Sequence, residues 1–218
     1  MSNRVVYLLA LSLLVSLPLC AQDSQEETQE PHLATQGLVA KPPYRPITGK
    51  QRVHWAVKST IGPRGLVAGV LSSGISTATN EPSEYGTTWA GFGRRYGIRL
   101  AGISTSNAME ASLGAIWGED PRYERAAHAP FRGRVWNVIK LTFAARYDDG
   151  HIGPAYARLI AVPGNNLLSN TWRVPSETQA GDAAMRSLLG VLSRMGANAF
   201  VEFWPDVRAR ITHSKCER

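Results

Sequence analysis

Cysteine is scarce in this 218-residue chain, which has only Cys20 and Cys216. That excludes a disulfide-built scaffold and a four-cysteine zinc site. Acidic residues are also in deficit, 17 against 24 Lys and Arg, for a formal charge of +7. No H-E-x-x-H, C-x-x-C, G-x-S-x-G or G-x-x-x-x-G-K-[ST] occurs, so the familiar metalloprotease, redox, α/β-hydrolase and P-loop signatures are missing. Residues 65–80 are uncharged but number only 16 and include several Ser and Thr, short of the ~20 apolar residues a membrane span needs. A bundle of spanning helices is therefore not expected. With 20 Gly and 13 Pro the chain is neither collagen-like nor low-complexity. Its 44% hydrophobic content is enough for one domain with a core.

What is present begins with an export signal. Arg4 supplies a positive start, Val5 to Val15 an apolar stretch, Pro18 a break, and Leu19-Cys20-Ala21 a small-residue cleavage site. Residues 1–21 are thus predicted to be a signal peptide cleaved before Gln22. The rival reading, a lipoprotein modified at Cys20, suffers from the large Leu19. The mature chain would keep one thiol, Cys216, and could form no internal disulfide. Residues 22–47 form a polar, then Pro-rich leader, Asp23 to Glu30 followed by Lys41-Pro42-Pro43-Tyr44-Arg45-Pro46, with little to bury. Without the three basic and four acidic residues of 1–47, the remainder holds 21 basic against 13 acidic residues, or +8.

Residues 48–211 read as an all-α domain, a compact bundle of five or six helices, with 212–218 as a tail. Thr48 and Gln51 form a capping box, and Val53, Ala56, Val57, Thr60 and Ile61 follow at helical spacing. Gly62-Pro63 ends that helix and seeds a second, to Ala78. Ser83 is predicted to cap a third, reaching Trp117 or breaking near Ser104–Ser106. Val135 to Phe143 mark a fourth, ended by Asp148-Asp149-Gly150. A fifth starts at Pro154 and is expected to break at Pro163-Gly164. A second capping box, Ser176 with Gln179, opens a sixth, which Trp204-Pro205 is expected to stop. Period-two alternation is nearly absent. Gly65-x-x-x-Gly69, Gly93-x-x-x-Gly97 and Gly114-x-x-x-Gly118 predict glycine-rich faces where helices pack closely.

The candidate site residues are charged. Arg94, Arg95 and Arg99 lie close together on one helix, and Arg122 follows in Glu119-Asp120-Pro121-Arg122-Tyr123. Clustered guanidinium groups suit phosphate or carboxylate, whereas the plain alternative is a solvated face of weak ion pairs. Glu119, Asp120, His128 and His151 are the further polar candidates. Asp148-Asp149-Gly150-His151 could hold a cation, but turn chemistry explains it better and no partner ligands stand out, so no metal site is assigned. Gly91-Phe92-Gly93-Arg94-Arg95-Tyr96-Gly97 misses the dinucleotide fingerprint by one position and follows no strand, so neither nucleotide nor other cofactor is expected.

Pro82-Ser83-Glu84-Tyr85-Gly86, Gly91 to Gly97, Glu119 to Tyr123 and Phe203-Trp204-Pro205-Asp206-Val207 resemble motifs of a family of uncharacterised exported bacterial proteins. The resemblance implies export and a single domain, and brings no activity. Together these features predict a non-enzymatic helical protein of the cell envelope, periplasmic or peripheral to an anionic membrane, with lipid or another envelope component as partner. Tryptophans at 55, 89, 117, 136, 172 and 204 suit that setting. The alternative is a small periplasmic hydrolase whose loop carboxylates, His and Arg converge. Nucleic acid is not an expected partner, because an exported chain rarely meets it. The oligomeric state is left open.

Overall fold

The structure, a computed structural model, describes residues 44–216. The predicted signal peptide, Cys20 and nearly all of the leader lie outside the described residues. Helices dominate: α1 Gly49–Ile61, α2 Pro63–Ala78, α3 Trp89–Trp117, α4 Phe131–Phe143, α5 Tyr156–Leu168 and α6 Ala180–Cys216. The all-α bundle is the observed class. Its central element is α3, which packs against α1, α2 and most extensively α5, while α6 closes over α4 and α5.

Local chemistry accounts for several boundaries. Both halves of the Thr48 capping box form: Gln51 N–H donates to Thr48 Oγ1, and Gln51 Oε1 accepts from Thr48 N–H. Gly62 separates α1 from α2, and Pro63 occupies the first turn of α2. Gly118 takes the left-handed conformation (φ 71°) that ends α3, and its N–H bonds Gly114 O.

Four expectations need correction. Helix α3 is unbroken and is capped by Thr88, whose hydroxyl accepts from Gly91 N–H; Ser83 belongs to a separate 3₁₀ turn, Ser83–Tyr85. Pro163 does not stop α5 and Pro205 does not stop α6. Each proline removes one helical hydrogen bond, but both lie on the exposed side of their helices, away from the packed faces. Side-chain ties on either side of Pro205, described below, hold α6 together. The second capping box is also displaced: Ser176 lies in a 3₁₀ turn, Pro175–Glu177, and Asp182 accepts from Gln179 N–H at the start of α6.

A small antiparallel sheet went unseen in the sequence. Its strands are β1 Glu119–Asp120, β2 Ala144–Tyr147 and β3 Ile152–Pro154, in that order, with Glu119 opposite Tyr147 and Arg146 opposite Ile152. Asp148-Asp149-Gly150 is the hairpin turn between β2 and β3, and Gly150 has φ 89°.

The interior is unusual in composition. Among the described residues, eight apolar residues are buried, five of them alanine, whereas Arg52, Arg95, Glu110, Glu119, Asp120, Arg158 and Glu202 are also buried. Large apolar side chains lie outside instead, twenty-four of them, from all six helices and β3. Trp89 is 86% exposed, Ile116 74% and Phe131 70%. The stripe Val53–Val57–Ile61 on α1 points outward, away from Arg52.

Candidate functional site

The buried charges meet where Glu119 to Ala126 passes along the C-terminal end of α3. Helix α5 has no side-chain cap of its own. Glu119 supplies one from β1: its carboxylate accepts from Ala157 N–H at 3.1–3.2 Å and from the Tyr147 hydroxyl at 3.3 Å. A carboxylate at a helix N-terminus answers the orphan N–H groups and the dipole there. Burial pushes the Glu119 carboxyl above its ordinary range, and these two donors oppose the rise. The same residue is held by its backbone, since Arg52 of α1 donates to Glu119 O.

Asp120 binds Arg122 through a guanidinium fork (Nη2 at 2.6 Å, Nε at 3.0 Å) and accepts from the Tyr44 hydroxyl at 3.0 Å. Burial first, then the Asp120 charge, pushes the Tyr44 phenol up to about 12.

Deeper in the bundle, Glu110 of α3 accepts from Arg158 of α5 at 2.9 Å and from Arg194 of α6 at 3.3 Å. Arg158 also donates to Leu141 O and Thr142 O at the end of α4, and Arg194 to Pro121 O. One carboxylate thus ties four elements together. Two guanidinium groups share it, and burial pushes Arg194 down to about 10, opposed by Glu110 and assisted by Arg158.

The third knot centres on Glu202 of α6, which is 0% exposed. Its carboxylate accepts from the Tyr123 hydroxyl (2.7 Å), Arg134 Nε (2.9 Å) and Ala126 N–H (3.1 Å). Its carbonyl accepts from Arg125 and Arg134. Burial alone would raise the Glu202 carboxyl, but Tyr123, Arg134 and Ala126 overcome it and hold the group below its ordinary range. Arg134 also reaches Asp206, so it grips α6 on both sides of Pro205.

Glu110, Gly114, Glu119, Asp120, Pro121, Ala145, Ala157 and Arg158 close around the seam between the first two knots, which leaves no room for a water molecule. Each of its carboxylates already receives at least two donors. These donors tie α1, α3, α5, α6 and the strand β1 to one another through the same three carboxyl-bearing residues.

The predicted candidates divide between the two ends of α3, a helix of 29 residues and about 43 Å long. Glu119, Asp120 and Arg122 lie at the C-terminal end; Arg94, Arg95 and Arg99 lie toward the N-terminal end. They do not form one pocket. Arg95 is no anion receptor: it is buried and donates to Gly86 O (2.6 Å), Pro82 O (2.7 Å) and Glu81 O (3.3 Å), clamping the loop before α3. Arg94 is exposed. His151 is exposed, stacks on Tyr147 and pairs with Asp149 at 2.5 Å. His128 is exposed in the turn before α4. Among the described residues, no group of three or more His, Cys, Asp or Glu is arranged to hold a metal ion.

Glu110, Arg52, Arg134, Arg158, Arg194 and Glu202 were not singled out by sequence reasoning. The signal that marks four of them is a lone charge inside an apolar helical stretch, as in Ala157-Arg158-Leu159-Ile160 and Phe200-Val201-Glu202-Phe203. Comparison with protein-family models, curated proteins and solved structures finds no match for the chain.

Proposed function

We propose that the chain is a non-enzymatic helical protein of the cell envelope that lies against an anionic membrane surface. The observation that carries this reading is the inverted distribution of side chains: charges inside, held by ion pairs and by hydrogen bonds to the backbone and to tyrosines, and large apolar groups outside on every helix. Soluble proteins expose much apolar area in scattered form, but a core of alanines and ion pairs beneath Trp, Phe, Ile and Leu is a different arrangement. A low-dielectric surround rewards it, because polar groups must then find partners within the protein. Among the described residues no helix is long and apolar enough to cross a membrane, so the contact is interfacial. The formal charge of +7 complements anionic headgroups. The saturation of Glu110, Glu119 and Asp120 by internal donors favours this reading over a hydrolase.

Cosedimentation with vesicles tests it. The full chain should bind anionic vesicles at low salt, retain part of that binding at moderate salt, and bind neutral vesicles more weakly. Screening removes exposed charge contacts, whereas apolar contact survives. No binding to either vesicle at low salt would refute the proposal.

A further inference from the structure

One cation stands apart from the pairing just described. Among the described side chains, every other guanidinium that is not fully exposed donates to a carboxylate or a backbone carbonyl. Arg99 of α3 is half-buried and has no hydrogen bond or ion pair to another described residue. Its side chain lies over Gly69 of α2, where an added Cβ would come within 3.6 Å of Arg99 Nε and 2.8 Å of the Tyr96 ring. Gly69 is therefore the space into which both side chains fit. Burial lowers the affinity of Arg99 for its proton and no carboxylate opposes this, only Tyr96. A partly desolvated guanidinium without a counter-charge is costly to keep.

The surroundings suit an amphipathic ligand. Trp89, Phe92, Tyr96 and Arg99 follow one another at i, i+3, i+7 and i+10 along α3. Trp89 meets Phe92 edge-on at 5.9 Å, and Phe92 stacks on Tyr96 at 6.2 Å. On α2, Val70 and Leu71, next to Gly69, are exposed. Aromatic rings prefer the polar–apolar boundary of a membrane, and a guanidinium there meets phosphate with a fork of donors.

We propose that this face of α2 and α3 binds a phosphate oxyanion through Arg99, with Trp89, Val70 and Leu71 set in the adjoining apolar layer. The inference rests on the membrane reading, and it narrows the cluster expected from sequence to one guanidinium. Arg95 is spent on the loop before α3.

The test uses the full chain with vesicles of phosphatidylglycerol in phosphatidylcholine, against phosphatidylcholine alone. Arg99→Gln should weaken binding to the phosphatidylglycerol vesicles about tenfold, the effect of losing a charge-assisted hydrogen-bonding group, with a smaller loss on phosphatidylcholine, whose phosphate is already balanced by choline. Arg99→Lys should fall between, keeping the charge but losing the fork, and Arg94→Gln should change binding less than about twofold, as a screened surface charge does. Thermal melting in inorganic phosphate against chloride at equal ionic strength separates the two sources of phosphate. Phosphate that raises the wild-type midpoint, but not that of Arg99→Gln, identifies a site open to the free ion. Loss of vesicle binding in the variants without a phosphate effect identifies the lipid headgroup. Both results support the proposal. Variants that bind vesicles as the wild type does, with no phosphate effect on melting, overturn it while leaving the membrane reading intact. A wild type that binds neither vesicle defeats the membrane reading, and melting in phosphate then decides the Arg99 site alone.

Discussion

The two ends of α3 use arginine in opposite ways. Past the C-terminal end, Arg122, Arg134 and Arg158 each meet a buried carboxylate, and of the three only Arg122 is itself exposed. Toward the N-terminal end, Arg95 meets backbone carbonyls, the Thr77 hydroxyl and the Tyr85 ring but no carboxylate, Arg94 faces outward, and Arg99 has no carboxylate partner among the described residues. The first arrangement closes on itself, and the second leaves positive charge to be satisfied from outside. The same residue type therefore acts as brace at one end and as receptor at the other, and burial with its partner decides which.

Breaking the closed end should have the largest effect. Glu110→Gln leaves Arg158 and Arg194 without their shared counter-charge, and Glu202→Gln leaves Arg134 with Asp206 alone. Removing one partner of a buried pair costs about 3–5 kcal/mol, which denaturant melts would show as a lower midpoint with an unchanged slope. Loss of the Arg95 clamp comes next. Arg95→Gln strands the carbonyls of Pro82 and Gly86, and should cost about 2–3 kcal/mol with little change in vesicle binding.

Acid sharpens the comparison, because the carboxylates belong mainly to the closed end. The Glu202 carboxyl is held below its ordinary 4.5. Its contribution is fully present above that value and is lost as pH falls through the lowered folded value. Glu119 is raised above 4.5, so its ionised form costs stability at neutral pH, and acidification relieves that cost until its unfolded value is reached. Stability measured against pH should thus rise slightly on the way down to about 4.5 and fall below it. Glu119→Gln should remove the rise, and Glu202→Gln should flatten the fall.

The glycines give the smallest effects, and of opposite sign. Gly69→Ala forces the Tyr96 ring aside and should cost about 1 kcal/mol, within the range for overpacking. Gly93 and Gly97 face open space, so alanine there should stabilise α3 by about 0.5–1 kcal/mol through helix propensity. These two did not become a packed face, whereas Gly69 and Gly114 did: a Cβ on Gly114 would stand 3.0 Å from Arg52 Nη1 and 3.1 Å from Glu119 O.

Much of the helical skeleton was legible from short-range chemistry. The Thr48–Gln51 box and the Gly62-Pro63 junction act within four residues, and the sequence displays them directly. Direction was not legible. Val53, Val57 and Ile61 recur at helical spacing whether they face a core or the outside of the bundle, and only the position of Arg52 across the helix, bonded to Glu119 O, reveals which. The strands were too short, at two to four residues, for period-two alternation to register. Pro163 and Pro205 predict breaks because propensity is local, while the packing that overrides it is not. Of the candidate site, Glu119, Asp120 and Arg122 were found through their motif. Their partners Tyr44, Tyr147 and Ala157 lie 28 to 76 residues away from them and are joined only by the fold.

The outward apolar surface is tested most directly by quenching. Trp89 and Trp136 are exposed, so in anionic vesicles whose acyl chains carry bromine the tryptophan emission of the full chain should fall. Replacing both residues with Phe should remove most of that fall. Emission that is unchanged by brominated chains, with the protein bound to the same vesicles, would contradict an exterior set against lipid.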